Sequence, residues 1–203
     1  YYIDHFALLR LVGALSITAF SSLFVTASFL NLQDRFKELS ITDSMTGSYN
    51  RAQLDAFLGT ALELHTKTGL SSPIALLDID NFKQVNDKFG HDVGDEMIQS
   101  VVRVFKETAR PNDFIFRLGG DEFLILYRKS SLKDSYIRLE KLRQKVSELR
   151  VHNNLSASIS AGITSSNTDI NISQWMKHAD LALYSAKHKG RNRIVRHKEK
   201  CVG

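Results

Sequence analysis

From Leu11 to Leu30 the chain runs for twenty residues without one charged side chain, LVGALSITAFSSLFVTASFL. As a helix rising 1.5 Å per residue, such a run is about 30 Å long, the thickness of a bilayer's hydrocarbon core. Arg10 precedes it, and Asp34, Arg35 and Lys37 follow. Its six serine and threonine hydroxyls can bond back to their own helix backbone, so lipid tolerates them. A buried helix of this length normally carries a polar stripe. The run is too long for a signal peptide, and no cleavage box follows it. Residues 1–41 are therefore expected to be a transmembrane helix plus a juxtamembrane signalling helix. In the latter, Leu32, Phe36 and Leu39 have helical spacing suited to pairing with a second copy, a plain solvated linker helix being the alternative. Basic residues follow the span (Arg35, Lys37, Arg51) more than they precede it (Arg10). The positive-inside rule then puts the C-terminal part in the cytoplasm. Tyr1 in place of an initiator methionine suggests that more chain lies upstream.

The remainder reads as a globular domain with a sizeable core, since 43% of all residues are hydrophobic and 24% charged. Cys201 is the only cysteine, which excludes an internal disulfide or a thiolate metal site and suits a reducing cytoplasm. The net charge of +5 fits nucleic acid, anionic lipid or a phosphorylated small molecule alike. The basic tail, Lys187 to Lys200, has no aromatic stacking platform, so no nucleic-acid partner is expected. His65, His152, His178, His188 and His197 show no metal spacing, and His91 reads as a loop or cap residue. Trp175 and Met176 read as core.

Periodicity predicts helices over residues 50–68, 81–89, 95–108, 132–149 and 172–187. Strands are predicted over 73–79, 114–118, 122–127 and 157–163, with an edge strand at Ile194–Val195. Gly119 and Gly120 are expected to form the turn of a hairpin. Strands separated by helices, with one hairpin, argue for an α/β (α+β sandwich) domain, a central sheet covered by helices. The expected division is 1–41 for the anchor, 42–199 for the globular domain and 200–203 for a tail.

Two acidic clusters carry the chemistry. LLDIDNFKQVND places Asp78 where a buried strand emerges, and RLGGDEF places Asp121 and Glu122 at the hairpin. Each alone has a plain reading, as a helix cap or a solvated turn. If the two strands are neighbours, Asp78 and Asp121 converge at one edge. Hard carboxylates without cysteine or clustered histidine select Mg²⁺ or Mn²⁺. Gly119 and Gly120, lacking Cβ atoms, let a nucleotide approach closely. Lys83, Lys187 and Arg191 supply positive charge for phosphates. This is a kit for phosphoryl or nucleotidyl transfer.

With DSMTGSYNR, DIDNFKQVNDKFGHDVGDE, RLGGDEF, SAGIT and ADLALYSAKHKGRNR in this order, the sequence resembles a GGDEF-domain diguanylate cyclase from Asp43 to about Val195. The resemblance implies a fold like the palm of polymerases and nucleotidyl cyclases. It implies condensation of two GTP into cyclic di-GMP and two pyrophosphates, across a head-to-head homodimer at a bacterial cytoplasmic membrane. It implies Mg²⁺ (or Mn²⁺) on Asp78 and Asp121, with the Ile79 carbonyl assisting and Glu122 as a second metal or catalytic carboxylate. It places Asn86 and Asp95 at the guanine edge, and Phe82 and Lys83 at the terminal phosphates beside Lys187 and Arg191. It also places Arg110 and Asp113 at an inhibitory site for the product, with Arg138, Lys141 and Arg143 as candidates for its distal basic partner.

Ser48 and Ala52 depart from the family pattern, which has leucine and arginine there, and are expected to tune the domain rather than disable it. The alternatives are a catalytically silent receptor for GTP or cyclic di-GMP, and a purine cyclase of different specificity. A carboxylate at Asp95 argues for guanine, which offers donors where adenine has none.

Overall fold

The structure, a computed structural model, describes residues 5–39, 41–166 and 170–197, with first-helix side chains at Phe6 and residues 8–29. The chain forms two compact units, Tyr1–Ser40 and Ile41–Gly203. The first is one helix, α1 (His5–Leu39). Its Leu8–Phe29 stretch is long and apolar enough to cross a membrane. Leu11, Leu15, Phe20, Leu23 and Phe24 are all exposed along it. Thr18, Ser21 and Thr26 donate their hydroxyls to the carbonyls of Leu15, Thr18 and Ser22. These three hydroxyls are thus satisfied within the helix, as an apolar surrounding demands. The pairing stripe read at Leu32, Phe36 and Leu39, and the tail with Cys201, fall outside the described side chains and residues.

The second unit is built on a six-stranded mixed sheet. In chain order its elements are β1 (Tyr49–Asn50), α2 (Leu54–Thr68), β2 (Ile74–Ile79), α3 (Phe82–Phe89), α4 (His91–Thr108), β3 (Asp113–Gly119) and β4 (Glu122–Tyr127). There follow α5 (Leu132–Glu148), a small ribbon of β5 (Arg150–Val151) and β6 (Leu155–Ser156), β7 (Ile159–Thr164), α6 (Ile172–His188) and β8 (Ile194–Arg196). The strand order is β1-β3-β4-β2-β7-β8. β2 lies antiparallel between β4 and β7, and the two edge strands run parallel to their neighbours.

All six residues of β2 are buried, which is why IALLDI reads as an unbroken apolar run up to its aspartate. Alternation divides them. Ala75, Leu77 and Ile79 enter the core under α3, α4 and α5, with Val101, Phe105, Leu139 and Val146. Ile74 and Leu76 enter the opposite core under α2 and α6, with Leu58, Phe116, Trp175 and Leu183. Trp175 is core, as read from the sequence. Each fully buried side chain of this size contributes about 1.5–3 kcal/mol, so the central strand is fixed on both faces.

Three features differ from the sequence reading. α4 starts at His91 rather than residue 95, because Gly90, at φ +88° and ψ 165°, a conformation open to glycine, ends α3 and opens the next helix at once. The short strands β1, β5 and β6, of two residues each, were not read, being too short to show a period. The hairpin turn is Gly120–Asp121, not Gly119–Gly120. Gly119 still pairs with Glu122, after a bulge that shifts the register beyond Arg117.

The domain opens on a tight turn. The Asp43 carboxylate accepts from Thr46 N at 2.9 Å and Thr46 Oγ1 at 2.7 Å, and from Arg117 Nη1 at 3.1 Å. Lys106 Nζ donates to the Thr46 carbonyl at 2.6 Å, tying the turn to α4. Ser48, one of the departures from family pattern, is 3% exposed with an unpartnered hydroxyl, whereas Ala52 is exposed. Burial pushes the Asp43 carboxyl up, but the hydrogen bonds from Thr46 and Arg117 outweigh it and hold it below its ordinary value. A depressed carboxylate stabilises the fold above its unfolded pKa, and the contribution is lost as pH falls through its folded value. Asp43→Asn is expected to cost about 1 kcal/mol at neutral pH in urea unfolding, a loss that narrows as pH is lowered below about 4.

Candidate active site

Asp78 follows Ile74 and Leu76 in the alternation of β2, so it faces α6 at the strand's end. Helix α6 comes unusually close to the sheet at Gly162. A Cβ there would stand 2.2 Å from both the Ala179 carbonyl oxygen and the Leu183 nitrogen, a clash with backbone that no side chain can relieve. That approach brings the last turn of α6 over the strand end. Lys187 Nζ stands 2.7 Å from Asp78 Oδ2.

On the other side of β2, Asp78 pairs in register with Glu122. The Ile79 N–H donates to the Asp121 carbonyl at 3.3 Å. The strand adjacency on which convergence of the two acidic clusters depends is therefore present. The GGDEF turn is clasped from beneath by Arg117, whose Nε and Nη2 donate to the Gly120 carbonyl at 3.0 and 2.9 Å while Nη1 meets Asp43. Above the turn there is open space. Cβ atoms at Gly119 or Gly120 would meet nothing within 4 Å, and Gly120 is left-handed at φ +51°.

Burial pushes the Asp78 carboxyl above its ordinary value. Lys187 opposes the shift, and the negative charges of Asp121 and Glu122 add to it. The Asp78 side chain is 11% exposed. One lysine thus faces a locus where two further carboxylates act on Asp78, an arrangement short of positive charge. Among the described residues no three Asp, Glu, His or Cys side chains form a ready-made metal cluster. A Mg²⁺-like ion needs no such cage, since it takes one or two carboxylates and completes its shell with water and phosphate oxygens. The donor set at this edge, with its excess negative charge, fits that ion.

Helix α3 begins directly after β2, putting Phe82 and Lys83 in its first turn, where the helix dipole and unbonded N–H groups favour anions. Lys83 is exposed and Phe82 packs partly into the core. Asn86, one turn on, has a buried Oδ1 with no hydrogen-bond partner. It lies against Gly94 of α4, where a Cβ would stand 1.9 Å from Asn86 Oδ1. Asp95, exposed, is the next residue. The structure thus brings the two expected guanine readers to one α3–α4 corner, and Gly94 makes room for Asn86. Tyr184, Lys187, His188 and Arg191 line a concavity of about 440 Å³. A larger one, about 710 Å³, lies between α2 and the start of α6 and contains none of these residues.

Arg110 and Asp113 stand apart, at the α4–β3 corner. The Asp113 side chain is 2% exposed and is ion-paired with Arg138 of α5. It also accepts from the Arg110 N–H at 2.8 Å. Of the three basic candidates on α5, Arg138 is the one that meets Asp113. Arg143 instead donates to Glu140 and, at 2.7 Å, to Asn192 Oδ1. Arg138 also lies over the buried Tyr127 ring, 4.6 Å from its centroid.

Sequence reading missed Asp80. It is 7% exposed and accepts from Ser158 Oγ at 2.7 Å, Ser160 Oγ at 2.6 Å and Asn192 N at 3.0 Å. Its partners lie 78, 80 and 112 residues away in sequence. The second aspartate of DID and the serines of SIS were the available signal.

Residues 40–193, which span all these positions, match the family model for the diguanylate cyclase GGDEF domain. The chain belongs to the GGDEF family. The GGDEF domain is 35% identical over 162 residues to the probable diguanylate cyclase DgcC of Escherichia coli K12, covering 78% of this chain and 44% of that protein. It is 36% identical over 167 residues to diguanylate cyclase DgcP of Pseudomonas aeruginosa, covering 81% of this chain and 25% of that one. The chain therefore spans less than half the length of these curated relatives. Among solved structures, the coiled coil and GGDEF domain of Caulobacter crescentus DgcB, in complex with c-di-GMP, superposes with a TM-score of 0.75. The identity is 28%, covering 90% of this chain and 99% of that one. Diguanylate cyclase SiaD of P. aeruginosa, in complex with its activator SiaC, gives 0.74 at 35% identity, covering 94% and 74%. The mixed sheet covered by helices is thus the GGDEF fold, an α/β architecture.

Because burial and two acidic neighbours disfavour the charged form of Asp78, the GGDEF fold carries this residue at a cost in stability. Asp78→Asn is expected to raise the melting temperature by a few degrees in calorimetry without nucleotide or divalent ion.

Proposed function

We propose that the domain is a diguanylate cyclase, condensing two GTP into cyclic di-GMP and two pyrophosphates. The observation that carries this reading is the Asp78–Glu122 pairing at the GGDEF turn, with Lys187 closing the same locus from α6. In it, Asp78, Asp121 and the Ile79 carbonyl hold Mg²⁺ (or Mn²⁺), with Glu122 as the second metal-binding or catalytic carboxylate. The ion would neutralise charge developing on the phosphates.

The chain's own residues do the rest. Asp95 accepts from the guanine N1–H and 2-amino group, and the Asn86 amide reads the same edge beside it. Gly119 and Gly120 leave room for the ribose and α-phosphate. Phe82, Lys83, Lys187 and Arg191 surround the β- and γ-phosphates, so that pyrophosphate departs into a positively charged pocket. Each 3′-oxygen forms a bond to the α-phosphorus of the other GTP as the bond to pyrophosphate breaks, and the hydroxyl proton passes to water. Each domain holds one nucleotide, so turnover requires a homodimer. Residues 1–41 anchor that dimer to the cytoplasmic membrane through the apolar span, with the catalytic domain, 42–199, in the cytoplasm. Arg110 and Asp113, with Arg138, form the product-binding inhibitory corner, since guanidinium and carboxylate groups can bind guanine and phosphate together.

The purified chain, incubated with GTP and Mg²⁺, is expected to yield cyclic di-GMP by chromatography, and Asp121→Ala to lower the rate by about 10³-fold or more with the fold retained. GTP binding without turnover, even in an enforced dimer, would overturn this reading in favour of a silent receptor. Arg110→Ala is expected to raise the cyclic di-GMP concentration needed for half-inhibition by about tenfold or more, with the uninhibited rate unchanged.

A further inference from the structure

We infer that Asp80 is a positioning residue that holds the Gly190–Asn192 turn, and with it Arg191, against the terminal phosphates of the nucleotide; the inference rests on the diguanylate cyclase reading. The turn follows α6 directly. Gly190, Arg191 and Asn192 all have positive φ, at +108°, +59° and +43°. Asparagine tolerates the left-handed region, but arginine enters it at a cost of about 1 kcal/mol. Two consecutive non-glycine residues there persist only if their surroundings impose the conformation.

Within the turn the Arg191 N–H donates to the Ala186 carbonyl at 3.1 Å, and Asp80 supplies the side-chain constraint. Its carboxylate accepts the Asn192 backbone N–H at 3.0 Å. The hydroxyls of Ser158 and Ser160 donate to its two oxygens and fix its orientation. The Asp80 N–H donates in turn to the Ser158 carbonyl at 2.9 Å, locking the acid to the β7 side. No lysine or arginine pairs with it among the described residues, so its hydrogen bonds, not an ion pair, define its place. From the other side, Arg143 donates to Asn192 Oδ1 at 2.7 Å, and Arg193 Nε donates to the Arg191 carbonyl at 2.9 Å. The consequence is at Arg191, which lines the same concavity as Lys187. Arg191 is exposed, and the turn that carries it is gripped at the next residue by a buried acid.

Asp80 touches no phosphate itself. Its loss should weaken the hold on the β- and γ-phosphates and leave the reacting α-phosphate in place. Asp80→Asn removes one of the two acceptor oxygens that three donors now share. Expected are a rise of about tenfold in KM for GTP and a kcat within about threefold of wild type. Affinity for a GTP analogue with a methylene bridge between the α- and β-phosphorus should fall by the same factor, while affinity for GMP, which lacks those phosphates, should not change. Asp80→Asn should add little to Arg191→Ala, because both remove one interaction. Should Asp80→Asn fail to fold, Arg143→Ala, which leaves the buried acid in place, should show the same pattern at smaller amplitude.

A loss in kcat with unchanged KM, equal weakening of GMP and the analogue, or full additivity with Arg191→Ala would overturn the inference. If the wild type binds the analogue yet makes no cyclic di-GMP, the cyclase reading falls, while the ratio of analogue affinities still decides the role of Asp80.

Discussion

The antiparallel pairing of β2 with β4 is the interaction on which the rest of the domain depends. It sets Asp78 opposite Glu122 and joins Ile79 to Asp121. Side chains alternate along a strand, so a one-residue slip would turn Asp78 toward the α4 core and drive Leu77 out of it. The register is secured by apolar pairs behind the acids, Ile74 with Leu126 and Leu76 with Leu124, all buried on the α6 face. The acids are held still by residues that do no chemistry. At the open end the Gly120 carbonyl is clasped by Arg117, which is itself held by Asp43 at the start of the domain.

Such a locus is expensive for a fold to maintain. Burial already disfavours the charge on Asp78, and two more carboxylates face it. Lys187 offsets part of this, but it reaches Asp78 only because Gly162 lets α6 settle onto β7. A methyl group at that glycine would lift the helix and take the lysine with it. The stability lost at the strand end is recovered in the two cores, where β2 contributes apolar side chains to both faces. Excess negative charge concentrated at the ends of the central strands, with ordinary packing elsewhere, is the expected pattern of a functional site.

Much of this was legible in the sequence, for identifiable reasons. The period of α4 and α6 and the apolar run of β2 reflect burial on one face or both, which leaves a pattern in the chain. The acids Asp78 and Asp121 stood out because they interrupt apolar strands. What was not legible depends on contacts distant in sequence. Asp80 looks like a solvated neighbour of Asp78 until Ser158, Ser160 and Asn192 close around it. Gly94 and Gly162 look like helix and strand defects until the opposing atoms are in place. The exact turn of the hairpin was misread because a bulge, invisible to a two-residue period, moves the loop one residue along.

The division of labour among the arginines of α5 follows from helix geometry. Arg138 and Arg143 are five residues apart, so they project about 140° from one another around the axis. One cannot serve the other's site. Arg138 is directed to the α4–β3 corner, where Asp113 is closed off from solvent. Arg143 is directed across β7 and β8 to the turn after α6, where it meets Asn192. Spacing from the RxxD motif left Arg138, Lys141 and Arg143 equivalent because distance along the chain does not say which face of α5 meets that motif. The phase is set by Leu139, Leu142 and Val146, which α5 buries in the core. Once those three are buried, Arg138 reaches the Asp113 corner and Arg143 the turn after α6. The same apolar stripe that docks the helix therefore assigns its two cations to two different jobs.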